Sequence, residues 1–83
     1  MRLDLYLKNT HLLKRRSSAK ALALGGAVLL NGRPAKPARE VGPGDELTFV
    51  GDDEEPGRRV LILREAPRPV PKGKTADFFR VLD

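Results

Sequence analysis

Eighty-three residues, 40% of them hydrophobic and 33% charged, with no Cys and one His, make one small domain that buries roughly 60% of its unfolded surface. Without Cys there is no disulfide framework and no thiolate metal site, and the lone His11 makes no cluster, so a reducing, intracellular compartment is expected. The net charge of +5 hides an asymmetry: residues 1–40 hold nine Lys and Arg against two Asp and Glu, whereas residues 41–83 hold seven against nine.

Clustered cations gain free energy by releasing the counterions condensed on nucleic acid, so the basic first half predicts a polyanionic partner. The longest apolar run is only a few residues and Met1-Arg2-Leu3-Asp4 opens no signal peptide, so the expected setting is cytoplasmic with no membrane partner.

Leu3, Tyr6 and Leu7 fall at i, i+3, i+4, and Asp4 sits where a helix N-terminus favours negative charge, which predicts a first helix over residues 3–9. Ala19, Leu22 and Ala23 repeat that spacing, so a second helix is expected from about Arg16 to Leu24, stopped by Gly25 and Gly26 in the left-handed conformation. A strand follows over residues 27–30. Asn31-Gly32 then predicts a two-residue hairpin turn, with Pro34 and Pro37 confining the return to an edge or irregular path.

Val41-Gly42-Pro43-Gly44-Asp45 reads as a turn into a strand over residues 46–50. After the acidic stretch 51–57 another strand is expected over residues 59–63. The proline-rich segment 66–74 is an extended connector. Thr75 is expected to cap a last short helix carrying Phe78, Phe79 and Leu82. The division expected is one nucleic-acid-binding unit over residues 1–65, then the connector and short C-terminal helix over 66–83.

Arg2, Lys8, Lys14, Arg15, Arg16 and Lys20 would converge on one face if the two helices pack side by side, forming a cationic patch near helix termini suited to phosphate. The bland alternative is a solvated charged face, which three consecutive cations and only two acids in forty residues weaken. Ser17 and Ser18 are first-turn or capping positions, and Ser18 is taken into the candidate interface beside Arg16.

Arg33, Lys36 and Arg39 extend the patch or merely solubilise an edge strand, two readings that weigh about evenly. Asn31 serves the turn first and RNA second, because a type I′ turn demands positive φ at both positions. Arg58, outside the cluster, is expected to matter far less than Arg16. Tyr6, Phe78 and Phe79 are more simply core than base-stacking residues. His11 has no partner at dyad or ligand spacing. Asp52, Asp53, Glu54 and Glu55 make a solvated turn rather than a calcium loop. Nothing in the sequence assembles a nucleophile with a base, and neither cofactor nor enzyme activity is expected.

The order Arg2-Leu3-Asp4, Lys14-Arg15-Arg16-Ser17-Ser18-Ala19-Lys20, Gly26-Ala27-Val28-Leu29-Leu30-Asn31-Gly32, Lys36-Pro37 and Val41-Gly42-Pro43-Gly44-Asp45-Glu46-Leu47 resembles the RNA-binding domain first seen in ribosomal protein S4. The resemblance is strong over residues 1–50 and implies an α+β fold: two short helices packed on a small bent, mostly antiparallel sheet, the helical face binding structured RNA.

The whole chain is similar to small stand-alone members of the family that act in ribosome-associated quality control. That likeness implies binding to a large ribosomal subunit obstructed by peptidyl-tRNA, contact with 23S rRNA and tRNA, and support of C-terminal tail elongation with an RqcH-like partner, the chain being a monomer off the ribosome. It matches Arg2 and Arg16 to RNA-contacting arginines of the group. Leu5, where relatives often carry Lys, and the prolines of 67–71 depart from the pattern. Two alternatives share the fold: an accessory RNA-binding subunit of an RNA-modifying enzyme, and a large-subunit recycling factor of the heat-shock kind, which carries a longer basic C-terminal extension.

Overall fold

A computed structural model describes residues 1–13, 26–50 and 57–82; the expected second helix and the acidic stretch 51–56 lie outside them. The first helix, α1, spans Leu3–Asn9, as the i, i+3, i+4 spacing requires. No side chain caps its start. Its first free donors are satisfied by backbone instead, Leu3 N–H donating to the Arg39 carbonyl (2.9 Å) and Asp4 N–H to that of Pro37 (3.0 Å), which meets the need that every helix start creates. Val41 N–H donates in turn to the Met1 carbonyl (2.8 Å), and Arg2 bridges Glu40. The N-terminal segment is thus laced antiparallel along residues 37–41, fixing where α1 enters.

Five strands follow: β1 (Val28–Leu30), β2 (Arg33–Pro34), β3 (Glu46–Phe49), β4 (Arg58–Ile62) and β5 (Phe79–Val81). They form one antiparallel sheet in the order β2-β1-β3-β4-β5. Asn31 (φ 52°) and Gly32 (φ 84°) take the positive φ that a type I′ turn demands, and β2 is an edge strand, as its proline requires. Gly26 (φ 77°) adopts the left-handed conformation expected of it.

The C-terminal segment corrects the sequence reading. Thr75–Asp77 is a single 3-10 turn that Thr75 begins rather than caps, and Phe79–Val81 is a strand, not part of a helix. The physical reason lies across the sheet: Val60, Leu61 and Ile62 need a partner on that side, and Val81, Arg80 and Phe79 supply it in register. Burying Phe79 against the core while Arg80 points out follows the strand period of two.

The core joins Leu3, Tyr6 and Leu7 of α1 to Val28, Leu30, Leu47, Val60 and Ile62 of the sheet, with Ala35, Val41, Ala66 and Val70 closing it from the connectors. Each fully buried Leu contributes about 1.5–3 kcal/mol relative to exposure, so truncating Leu3 or Leu7 alone would remove much of a small domain's margin. Tyr6 is core, and its hydroxyl donates to the Phe78 carbonyl at 2.8 Å. Phe78 and Phe79 pack against the same cluster. The connector is held too: Val70 N–H donates to the Asn9 carbonyl (2.9 Å), Asn9 Nδ2 donates to the Ala66 carbonyl (2.7 Å), and the His11 ring bonds the Val70 carbonyl.

Candidate nucleic-acid interface

The lacing of the N-terminus onto residues 37–41 places the hairpin β1-β2 and the following loop beside the start of α1. There a groove of about 720 Å³ is lined by Asn31, Arg33, Pro34, Lys36, Ala38 and Arg39. Arg33, Lys36 and Arg39 are exposed, and none is in an ion pair with a described carboxylate.

Both acids of the first forty residues are already engaged. Asp4, 1% exposed, accepts from Arg2 through Nε (3.2 Å) and Nη2 (3.1 Å) and from the Leu5 N–H (2.8 Å). Glu40 lies 2.8 Å from the Met1 ammonium. That hydrogen bond holds the Glu40 carboxyl below and the Met1 ammonium above their ordinary pKa values. Each of these two acids thus has a cation of its own beside it, Arg2 for Asp4 and the Met1 ammonium for Glu40.

Arg2, with its side chain 45% exposed, uses two of its five guanidinium N–H groups on Asp4. The bidentate pair fixes the fork's orientation. Asp4 is thus a positioning residue that the sequence reading assigned only to helix electrostatics; the signal was its place two residues after Arg2. Lys8 is exposed on the last turn of α1 and does not line the groove. Asn31 is occupied with structure: its Oδ1 accepts the Glu46 N–H (2.9 Å) and its Nδ2 donates to Asp45 (3.1 Å), clamping the hairpin to β3. Lys14, Arg15, Arg16, Ser18 and Lys20 lie outside the described residues.

A basic groove walled by the β1-β2 hairpin and the loop after it, beside the start of α1, suits a nucleic-acid-binding domain. The S4 domain family model matches residues 1–47. Over 82 residues, 99% of this chain and 92% of the relative, the sequence is 52% identical to the RQC P-site tRNA stabilizing factor of Bacillus subtilis strain 168. It is 38% identical over 71 residues to the protein of the same name in Helicobacter pylori strain J99, covering 82% of this chain and 84% of that one.

Among solved structures, Vibrio cholerae Heat Shock Protein 15, a trimer, superimposes with a TM-score of 0.86 at 28% identity, covering 98% of this chain and 80% of that one. A hypothetical protein, HP1423, solved in solution, gives 0.81 at 32% identity, covering 100% and 98%. The chain belongs to the S4 domain family and, within it, to the RQC P-site tRNA stabilizing factors.

Proposed function

We propose that this chain is a non-enzymatic RNA-binding factor of ribosome-associated quality control that holds a P-site tRNA on a large ribosomal subunit obstructed by peptidyl-tRNA. The observation that carries this reading is the groove: three cations with no partner among the described carboxylates, Arg33, Lys36 and Arg39, gathered inside the residues that match the S4 domain. Arg2, held by Asp4, is bridged through its backbone to Glu40, the neighbour of Arg39. Such a surface holds phosphates and sets register, and selectivity comes from the shape of the folded RNA rather than from base edges.

The ligands assigned are 23S rRNA and the tRNA. Arg16 and its neighbouring cations add contacts of the same kind, and an RqcH-like partner elongates the C-terminal tail while the tRNA is held. Off the ribosome the chain is a monomer in the cytoplasm. A composite site of rRNA and tRNA exists only on the obstructed particle, so two modest contacts become one selective one through effective concentration.

Gradient sedimentation of tagged protein with purified large subunits, with and without peptidyl-tRNA, tests this. Recovery should depend on peptidyl-tRNA and vanish on charge reversal at Arg2 and Arg16. Equal recovery with bare and obstructed subunits would reject the quality-control role and leave general RNA binding standing. The fold shared with Heat Shock Protein 15 supports a second reading, a recycling factor. That reading predicts release of the tRNA from the particle where the first predicts its retention.

A further inference from the structure

The second half of the chain is acidic on average only because of the stretch 52–55 and the pair Asp45-Glu46. Residues 57–82 alone carry Arg58, Arg59, Arg64, Arg68, Lys72, Lys74 and Arg80 against Glu65 and Asp77. Two of these cations, Arg58 and Lys72, line one cleft. Where the end of α1, the start of β4, the end of β5 and the turn after the connector meet, there is a cleft of about 420 Å³, whose lining includes His11, Arg58, Lys72, Leu12, Phe79 and Val81. No Asp or Glu is among the described residues that line it.

Several features build this cleft. Arg58 lies over the Phe49 ring, 5.5 Å from its centroid, a contact that restrains the guanidinium and uses the ring face rather than its N–H groups. Lys72 is presented by a tight turn that the Lys74 N–H closes on the Pro71 carbonyl (3.0 Å), Gly73 supplying the positive φ of 89°. His11, itself at φ 61°, clasps the Val70 carbonyl and so anchors the connector leading to that turn. The floor is apolar, with the half-buried Phe79 ring beside Leu12 and Val81. Cations at the rim and an aromatic floor are the combination that single-stranded nucleic acid uses, phosphate to the charges and base to the ring.

We propose that this cleft is a second RNA site, taking one unpaired nucleotide with its phosphate between Arg58 and Lys72 and its base on Phe79. It rests on the RNA-binding reading above and extends it: the groove belongs to β1 and β2 and the cleft to β4 and β5, at opposite edges of the sheet. Four strand spacings separate those edges, roughly 19 Å, so the two sites engage different RNA segments at once. This reverses the expectation that Arg58 is peripheral to binding.

The test is an amide and methyl NMR titration of the full chain with a hexauridine RNA, alongside the variants Arg58→Gln and Lys72→Gln. Lys72→Gln lies on an exposed turn and guards against a folding defect from the loss of the Arg58–Phe49 contact. Hexauridine should move His11, Phe79 and Val81, and each variant should weaken that response at least threefold while shifts around Arg33 and Arg39 persist.

Shifts confined to the groove would overturn the second site and leave the proposed function intact. Shifts confined to the cleft would support the site and count against the groove. Silence at both would overturn both. A polyglutamate peptide moving the cleft residues when RNA does not would assign the cleft to an acidic protein and overturn the RNA reading.

Discussion

At the scale of single residues, Tyr6 shows how one side chain serves packing and polar satisfaction together. Its ring is fully buried among Leu3, Leu7 and the sheet, and its hydroxyl reaches the Phe78 carbonyl, tying the first helix to the segment that enters β5. Burial pushes its pKa from 10.0 up to about 12. In that window the unfolded chain has released the proton and the folded chain has kept it, so folding stability is complete below pH 10 and falls as pH rises toward 12. At about 1.4 kcal/mol per unit, the loss is on the order of 2 kcal/mol. Tyr6→Phe should cost about 0.5–1.5 kcal/mol at pH 7 through the lost hydrogen bond, yet lose less between pH 10 and 12 than the parent. Urea melts of both proteins across that range check it, and parallel curves would show that Tyr6 is not the titrating group.

At the scale of elements, what the sequence made legible was local. The periodicity of Leu3, Tyr6 and Leu7, the Asn31-Gly32 turn and the apolar runs of β3 and β4 each carry their structure within a few residues. β5 was not legible, because Phe78, Phe79 and Leu82 suit one face of a short helix, and only pairing with β4, some twenty residues earlier, decides for strand. The burial of Ala66 and Val70 was hidden for the same reason: it depends on Asn9 and His11.

Of the site, the cations were plain but their grouping was not. Arg33, Lys36 and Arg39 gather because the loop after β2 is laced to the N-terminus, whereas Lys8, exposed on the last turn of α1, is not among the groove's lining residues.

The strand assignment makes a sharp prediction. Leu63 N–H donates to the Phe78 carbonyl and Leu82 N–H to that of Arg59 (2.8 and 2.9 Å), so in this register the Arg80 N–H faces Leu61 and the Val81 N–H faces away. Arg80→Pro should therefore remove a ladder bond and cost about 1–3 kcal/mol, while Val81→Pro, at an outward-facing edge position, should cost much less. Thermal melts of the pair decide, because a helix would suffer comparably from either proline.

At the scale of the whole molecule, charge is organised by sheet edge rather than by sequence half. The groove cations stand at the β1-β2 edge and the cleft cations at the β4-β5 edge, and Glu46 between them is paired with Arg59 at 3.4 Å. If both proposed sites bind, a body of 30 × 25 × 22 Å would sit between two RNA segments rather than lie along one. Binding should then follow counterion release with separable contributions. Replacing Arg33, Lys36 and Arg39 together by Gln should lower the magnitude of the slope of log K against log salt by about 2–3 for a structured large-subunit rRNA fragment, given 0.7–0.9 per phosphate contact. All three side chains are exposed, so the melting temperature should move little. Titrations at four or more salt concentrations measure the slope directly. An unchanged slope would mean that the groove touches no phosphate and that the affinity resides elsewhere on the chain.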